Sequence, residues 1–313
     1  MVFGAAVALR RALYRRGIVR AERLPVPVVV VGNISVGGSG KTPLVAALLR
    51  ALAQRGHRPG VVSRGYGRAR DDGTPILVAA TDDPLEVGDE PLLLARTGVP
   101  VVVARDRVAA ARELLARHPA CDVILADDGL QHYRLARSVE IAVIDAARGL
   151  GNRWLLPAGP LREPVSRLDE VDAVVALVGA EGGRPFVPPG AFTMTLVGET
   201  LARVGDPRIT APPSAFFGPD VHALAGIGNP GRFFAQLAKM HISASPHPFP
   251  DHHRFSANDL AIAGARAILM TEKDAVKCEA FADERCWYLP VEARVDDALV
   301  ALIEGKLRGL EAA

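Results

Sequence analysis

Short runs rich in Val, Ile and Leu, with at most one charged residue each, recur along the first 180 residues of the chain. They cover residues 26–31, 60–63, 76–79, 99–104, 123–126, 141–145 and 173–178. Runs of this length without alternation are typical of strands that are buried on both faces. Between several of them the apolar residues recur at helical spacing, as at Leu44, Leu48 and Leu52. This order predicts an α/β protein with a mostly parallel sheet covered by helices on both faces, a three-layer α/β/α domain.

The pattern changes after residue 178. Residues 179–219 are rich in Gly and Pro and contain a single strand-like run at 191–197. Strand-like runs resume at 221–225, 267–270 and 286–290, and a last helix follows from Val295. We therefore predict an N-terminal helix (1–24), a larger domain (25–190), a β-strand linker (191–220) and a second, smaller α/β domain (221–313). The last helix can pack back on the larger domain.

A glycine-rich loop joins the first predicted strand to the helix that begins at Lys41. Strand, glycine loop, Lys-Thr and helix is the order of a phosphate-binding loop (P-loop), in which backbone N–H groups surround phosphate oxygens. Lys41 is expected to reach the β- and γ-phosphates of a nucleotide, and the Thr42 hydroxyl to hold Mg²⁺. The consensus has Gly where this chain has Ser35, and the alternative is a chance glycine-rich turn. The predicted nucleotide-binding residues are Ser35, Val36, Gly37, Gly38, Ser39, Gly40, Lys41 and Thr42.

Two adjacent carboxylates, Asp127 and Asp128, end the buried run at 123–126. A hydrophobic strand that ends in Asp is the expected partner of a P-loop, because its carboxylate orients Mg²⁺ directly or through water. An ordinary Asp-Gly turn is the alternative. The sequence thus predicts a P-loop NTPase-like domain that binds the phosphates of a nucleotide together with Mg²⁺.

Three further loops offer charged candidates. Arg64 and Tyr66 follow the second strand, where loops of parallel sheets line the ligand crevice, although a plain exposed loop fits them equally. Asp89 precedes a helix and could be a helix N-terminal charge that suits the dipole. Arg162 and Glu163 are interpreted as the charged tip of the long loop at 148–164.

Two motifs in the second unit admit more than one interpretation. Residues 226–231 spell GxGxxG with Asp251 about twenty residues on, as in a dinucleotide site, but Pro230 stiffens the loop and Asp251 is not at a strand end. His252 and His253 stand beside Asp251 in a segment that could be a metal cluster, an acid–base site or a polar loop.

Composition narrows the class of protein. The net charge is only +2, which gives no nucleic-acid signature, and the three cysteines form no CxxC pair, so a structural zinc site is disfavoured. The reduced cytoplasm is the natural compartment.

Residues 1–24 contain six arginines and one acid, Glu22, and no uncharged run approaches the ~20 residues that span a bilayer. The basic residues follow the apolar ones, the reverse of a signal peptide. A helix lying on an anionic membrane surface fits, and an ordinary solvated helix is the alternative.

Seven segments together resemble the bacterial tetraacyldisaccharide 4′-kinase family: GNISVGGSGKTP, GVVSRGYGR, GDEPLLLA, DVILADDGLQH, LLPAGPLREP, FPDHHRF and LMTEKDAVKC. The resemblance implies transfer of the ATP γ-phosphate to the 4′-hydroxyl of a lipid A disaccharide 1-phosphate at the cytoplasmic face of the inner membrane. It also implies two α/β/α domains joined by a two-stranded linker, with the active site in the cleft. No obligate protein partner is implied.

The resemblance assigns roles to residues of this chain. The catalytic carboxylate of the family falls on Asp89 and its partner histidine on His252, beside Lys41 of the P-loop. The metal-side carboxylates fall on Asp127 and Asp128, with Thr42. The residues expected to meet substrate are Arg64, Tyr66, Gln131, His132, Arg162 and Glu163.

The sequence shares single features with two other classes of protein. A membrane-associated P-loop switch or partitioning ATPase lacks support, because Val36 stands where partitioning ATPases often carry Lys and no Asn-Lys-x-Asp motif is present. An NAD enzyme rests on residues 226–231 alone.

Overall fold

The computed structural model describes residues 2–69, 72–179 and 185–311. Residues 180–184 of the predicted larger domain, and Met1, Arg70, Asp71, Ala312 and Ala313, lie outside the described residues. Within the described ranges the strands form one nine-stranded and one six-stranded sheet. The strands are β1 (Val28–Gly32), β2 (Pro59–Ser63), β3 (Ile76–Leu77), β4 (Val101–Val103), β5 (Val123–Asp127), β6 (Val139–Asp145), β7 (Ala173–Leu177), β8 (Phe192–Val197), β9 (Leu201–Arg203), β10 (Asp206–Ala211), β11 (Val221–Ala225), β12 (Ser245–Pro248), β13 (Ala267–Thr271), β14 (Cys286–Leu289) and β15 (Glu292–Val295).

Within the described ranges, α-helices lie in six of the fourteen connections between consecutive strands. The helices are α1 (Val2–Arg15), α2 (Lys41–Gln54), α3 (Pro84–Val87), α4 (Asp89–Ala95), α5 (Arg107–Arg117), α6 (Pro230–Lys239), α7 (Ala257–Leu260), α8 (Glu272–Cys278) and α9 (Asp297–Glu311). None of the helices in the described ranges is long and apolar enough to cross a membrane.

The larger sheet has the order β15-β8-β7-β6-β1-β5-β2-β4-β3, and its strands from β8 to β4 run parallel. β1 lies between β5 and β6, and Val31 is opposite Asp127 in the register with β5. The carboxyl ends of β1 and β5 therefore meet, and the loop after β1 emerges beside the aspartates that end β5.

Alternate residues of β1 face opposite layers of the core. Val29 and Val31 pack in one cluster with Leu48 of α2, and Val28 and Val30 pack in another with Leu114 of α5. Charge-free β-branched runs form these strands because both faces are covered by helices. The predicted three-layer α/β/α architecture is confirmed.

The smaller sheet has the order β10-β9-β14-β13-β11-β12, with parallel pairing among β11 to β14 and antiparallel pairing at β9 and β10. Residues 191–220, predicted as a linker, supply β8 to the larger sheet and β9 and β10 to the smaller one. The chain crosses between the sheets after β8 and again before β15, and these two strands pair antiparallel. α9 then buries Leu299, Ile303 and Leu307 in the core cluster of α2.

Candidate active site

The loop between β1 and α2 is held by hydrogen bonds at both of its ends. The buried Asn33 amide donates to Ser39 Oγ at 3.2 Å, and the Val36 N–H donates to the Pro160 carbonyl at 2.9 Å. Gly40 has φ 83°, a backbone conformation that favours glycine, and a Cβ there would lie only 2.7 Å from Leu177 Cδ2. Both the backbone conformation and the lack of space therefore require glycine at this position. The result is a preformed turn that ends at a helix N-terminus, the geometry that binds phosphate oxygens.

Lys41 and Asp128 face each other at the first turn of α2. Lys41 Nζ is 3.6 Å from Asp128 Oδ1, and Arg162 Nη1 is 3.1 Å from Asp128 Oδ2. Burial works to raise the pKa of Asp128, but the charges of Lys41 and Arg162 outweigh burial and hold it below its usual range. Asp128 is therefore a carboxylate held between two cations that can also contact phosphate.

Asp127 is fully buried, and neither of its carboxylate oxygens has a hydrogen-bond partner among the described residues. Burial, together with the charges of Glu90 and Asp128, raises the pKa of this carboxyl to about 7. An orphaned buried carboxylate next to a P-loop fits a bound Mg²⁺, which prefers oxygen ligands and retains several waters. Among the described residues no group of three or more His, Cys, Asp or Glu forms a metal cage. The residues that fit the ion are Thr42, Asp127 and Asp128.

Asp89 and His252 meet across the two sheets. Asp89, at the start of α4, is 5% exposed, and its Oδ2 is 3.4 Å from His252 Nδ1. The pKa of Asp89 lies below its usual range. Burial acts to raise this pKa, but the hydrogen bond with His252 and the charge of Lys273 outweigh the effect of burial. The neighbouring His253 turns away, since its Nε2 lies 3.4 Å from Asp259 and its ring stacks on Phe249. His252 is thus the histidine of the pair that faces Asp89.

The structure brings some of the predicted substrate residues to this region. The exposed Tyr66 ring lies 4.7 Å from the His252 ring, centroid to centroid, and Arg162 binds Asp128. Arg64 is exposed on the same loop as Tyr66.

Three other predicted substrate residues are engaged within the protein. Glu163 is 1% exposed and accepts a hydrogen bond from the Tyr133 hydroxyl, so it is not the charged tip of its loop as predicted. Gln131 Nε2 donates to the Asn33 carbonyl at 2.9 Å and so supports the start of the P-loop. His132 Nε2 accepts from the Arg107 N–H at 3.3 Å, and burial lowers the pKa of His132 to about 4.

Residues 226–231, the GxGxxG run, lie directly against the P-loop. A Cβ on Gly228 would be 2.1 Å from the Gly38 nitrogen, and Arg148 Nη1 donates to the Gly228 carbonyl at 3.2 Å. At the end of β6, Asp145 accepts from Asn229 Nδ2 at 3.3 Å and also binds Arg232. These glycines are visible in the sequence, but the close contact that they allow between two loops is not. Asp145 and Arg232 gave no sequence signal.

A cavity of about 550 Å³ lies between the two sheets. The P-loop from Gly38 to Thr42 forms one wall, and Phe233 and Gln236 of α6 form another. Glu90 and Lys273 lie at its border with the Asp89–His252 pair. This volume is typical of a site for a small molecule of nucleotide size.

The fold and this site define a P-loop NTPase-like α/β protein in which a second α/β unit covers the phosphate loop. The chain matches the family described as LpxK, tetraacyldisaccharide-1-P 4′-kinase, over residues 1–308. It belongs to the tetraacyldisaccharide 4′-kinase family, which confirms the resemblance noted from its motifs.

Individual relatives carry the same family name. A tetraacyldisaccharide 4′-kinase of Azoarcus sp. (strain BH72) is 55% identical over 310 residues, covering 98% of this chain and 90% of that protein. One of Alkalilimnicola ehrlichii is 53% identical over 311 residues, covering 99% and 91%. The crystal structure of LpxK from Aquifex aeolicus in complex with ATP is 29% identical, with a TM-score of 0.79 over 98% of this chain and 96% of that one.

Proposed function

We propose that this chain is an ATP-dependent lipid kinase that transfers the γ-phosphate to the 4′-hydroxyl of a tetraacyldisaccharide 1-phosphate in lipid A synthesis. The observation that carries the proposal is the contact of the buried Asp89 with His252, 3.4 Å apart, beside a cavity lined by the P-loop. Family membership over residues 1–308 supports the acceptor, and the ATP complex of the Aquifex aeolicus protein supports the donor.

Asp89 is the group suited to activate the acceptor. A sugar hydroxyl is a weak nucleophile at neutral pH, and a carboxylate within hydrogen-bond reach can take its proton as the oxygen attacks. The new bond joins the 4′-oxygen to the γ-phosphorus, and the bond from that phosphorus to the β–γ bridging oxygen breaks, which leaves ADP. The proton passes to Asp89, and His252 orients the carboxylate for this task.

Charge neutralisation is the second part of the chemistry. Lys41 and the backbone N–H groups of residues 35–42 bind the phosphates of ATP and stabilise charge on the transferring group. Mg²⁺ held by Thr42, Asp127 and Asp128 would supply further neutralisation of the phosphate oxygens. Arg162, which binds Asp128, orients that carboxylate.

A face formed by α1 and the loop at residues 152–158 fits a membrane surface. Leu9 of α1 and Trp154 are 62% and 66% exposed. The two elements touch, because a Cβ on Gly4 would lie 3.0 Å from Leu155 Cδ1. Arg11 and Arg15 both pair with Glu170, but the Arg15 side chain is still 71% exposed and can also meet anionic lipid.

We infer from this face that the proposed enzyme lies on the cytoplasmic surface of the inner membrane, and tryptophan fluorescence tests this inference. The chain has two tryptophans, and Trp287 packs against Phe216, so a Trp287→Phe variant reports on Trp154 alone. Anionic vesicles should shift its emission to shorter wavelength, and added salt should weaken the effect. Unchanged emission at saturating vesicle concentration would remove Trp154 from the membrane face.

The reaction itself is tested with radiolabelled ATP and a tetraacyldisaccharide 1-phosphate in detergent. We expect the label to appear on the lipid and ADP to form only when the acceptor is present. Steady hydrolysis of ATP without the acceptor would instead favour a nucleotide switch.

A further inference from the structure

A half-buried lysine of α8, Lys273, lies among three carboxylates at the Asp89–His252 pair. Lys273 Nζ is 3.0 Å from Glu90 Oε1, 3.7 Å from Asp251 Oδ1 and 3.9 Å from Asp89 Oδ2. It is also 3.4 Å from His252 Nε2, and its side chain is only 17% exposed. A lysine ammonium is this deeply buried only where anionic partners compensate for the lost water.

The backbone that carries Lys273 is fixed to the loop that covers the P-loop. Thr271 caps α8 by accepting from the Asp274 N–H at 3.2 Å. Asp274 is fully buried, and it accepts from the Gly226 N–H at 3.0 Å and from Lys277 at 2.7 Å. The position of Lys273 therefore depends on the same turn that presents residues 226–231 to the P-loop.

The charges around Asp89 come from three elements. The groups that face it or its partners are Glu90 of α4, Asp251 and His252 of the loop after β12, and Lys273 and Lys277 of α8. Lys277 is already bound to Asp274 and donates to the His253 carbonyl at 3.2 Å, and it lies 4.0 Å from Asp89. Lys273 has no such structural partner on its own element among the described residues.

We propose that Lys273 is a positioning residue for Asp89: its ammonium bridges Asp89 and Glu90 from across the cleft, so the catalytic carboxylate is ionised and aimed only while α8 lies against α4. The proposal rests on the proposed function of Asp89 as the base. The placement of Lys273 beside Asp89 is thereby linked to the covering of the phosphate loop, because the turn that positions Lys273 also holds residues 226–231 over that loop.

The physical consequence concerns the ionisation of Asp89. Burial alone favours the neutral carboxyl, and the charge of Lys273 is one of the two largest effects that oppose it. Replacing the ammonium by a neutral amide therefore raises the pKa of Asp89. The base is then lost progressively as the pH falls, whereas the wild-type base remains ionised.

The test compares Lys273→Gln with the wild type in the phosphate-transfer assay between pH 5 and pH 8. Titrating groups that are the same in both proteins affect both kcat/KM values equally, so their effect cancels in the ratio of the two values. We expect this ratio to fall toward low pH, approaching tenfold per pH unit below the new pKa of Asp89. Lys273→Arg, which keeps the charge, should give a nearly constant ratio.

The matched control is Lys306→Gln, which removes a surface lysine bound to Asp172 at 2.5 Å and should leave the ratio at one. A Lys273→Gln ratio that is low but independent of pH would overturn the proposal, since that result describes a merely structural residue. If the wild type itself transfers no phosphate, that result would instead contradict the proposed function.

Stability measurements keep the proposal testable if Lys273→Gln folds poorly. The double variant Lys273→Gln, Asp89→Asn removes both charges of the pair. We expect it to melt at a higher temperature than Lys273→Gln alone, because no buried carboxylate at position 89 is left without its cation. A double variant that is no more stable than the single one would contradict the pairing.

Discussion

The contact between Gly228 and the P-loop leads to a sharp prediction for Gly228→Ala. The new Cβ would lie 2.1 Å from the Gly38 nitrogen and 3.0 Å from the Gly37 carbonyl carbon. Ordinary contact begins at 3.4 Å, so the two loops must separate by about 1.3 Å. Both neighbouring atoms belong to backbone, so no side chain can rotate away to relieve the overlap.

The magnitude follows from the cost of overpacking, which is about 1–3 kcal/mol for an added methyl group. Since Gly38 and Gly228 line the same cavity, this cost should appear in nucleotide binding. We expect Gly228→Ala to weaken ATP binding roughly 5- to 150-fold. Calorimetric titration with a non-hydrolysable ATP analogue measures the change.

Gly231→Ala is the matched control within the same loop. Its Cβ would meet only Asn229 Oδ1 at 3.6 Å, an ordinary contact, and alanine favours the helix α6 in which it lies. We expect wild-type affinity from this variant. Equal, tight binding by Gly228→Ala and Gly231→Ala would refute the claim that residues 226–231 close the nucleotide site.

Three further predictions concern the P-loop, the core and the response to acid. Lys41→Ala should abolish phosphate transfer while the melting temperature stays close to wild type, and transfer at the wild-type rate would exclude the P-loop assignment. Leu48→Ala, at a fully buried position of α2, should lower the free energy of unfolding by about 2–5 kcal/mol in urea titrations; a loss below about 1 kcal/mol would contradict its placement in the core. The pKa of His132 is about 4 in the folded protein against 6.5 for the free side chain, so the unfolded chain takes up this proton first and stability falls as the pH drops from about 6.5 to 4. His132→Asn should remove about 1–2 kcal/mol of that fall, allowing for partial exposure, and an unchanged pH dependence of unfolding would reject the assignment.

Local sequence signals predicted the central sheet well. The charge-free run at 26–31 is typical of a strand covered on both faces, and β1 is buried at every position. The P-loop and the two aspartates were found because each lies at the end of such a strand, and the register of β1 with β5 brings them together. These features depend on residues that are neighbours in sequence.

Features that depend on distant pairing were not predictable. Glu163 looked like a loop tip, but the Tyr133 hydroxyl from a distant loop donates to it and helps to bury it. Nothing local distinguishes His252 from His253, and only the packing of the smaller sheet against α4 turns His252 toward Asp89. The strands β9 and β10 join the smaller sheet through β14, which lies more than 70 residues further along the chain.

The role of Asp89 as the base that activates the acceptor is the central claim, and one comparison tests it most directly. Phosphate transfer by Asp89→Asn and by wild type is measured over a range of acceptor and ATP concentrations. If Asp89 is the base, we expect kcat to fall by several orders of magnitude while ATP affinity stays within a few-fold of wild type. An equal loss of kcat and ATP affinity, or a wild-type kcat, would contradict the assignment of Asp89 as the base.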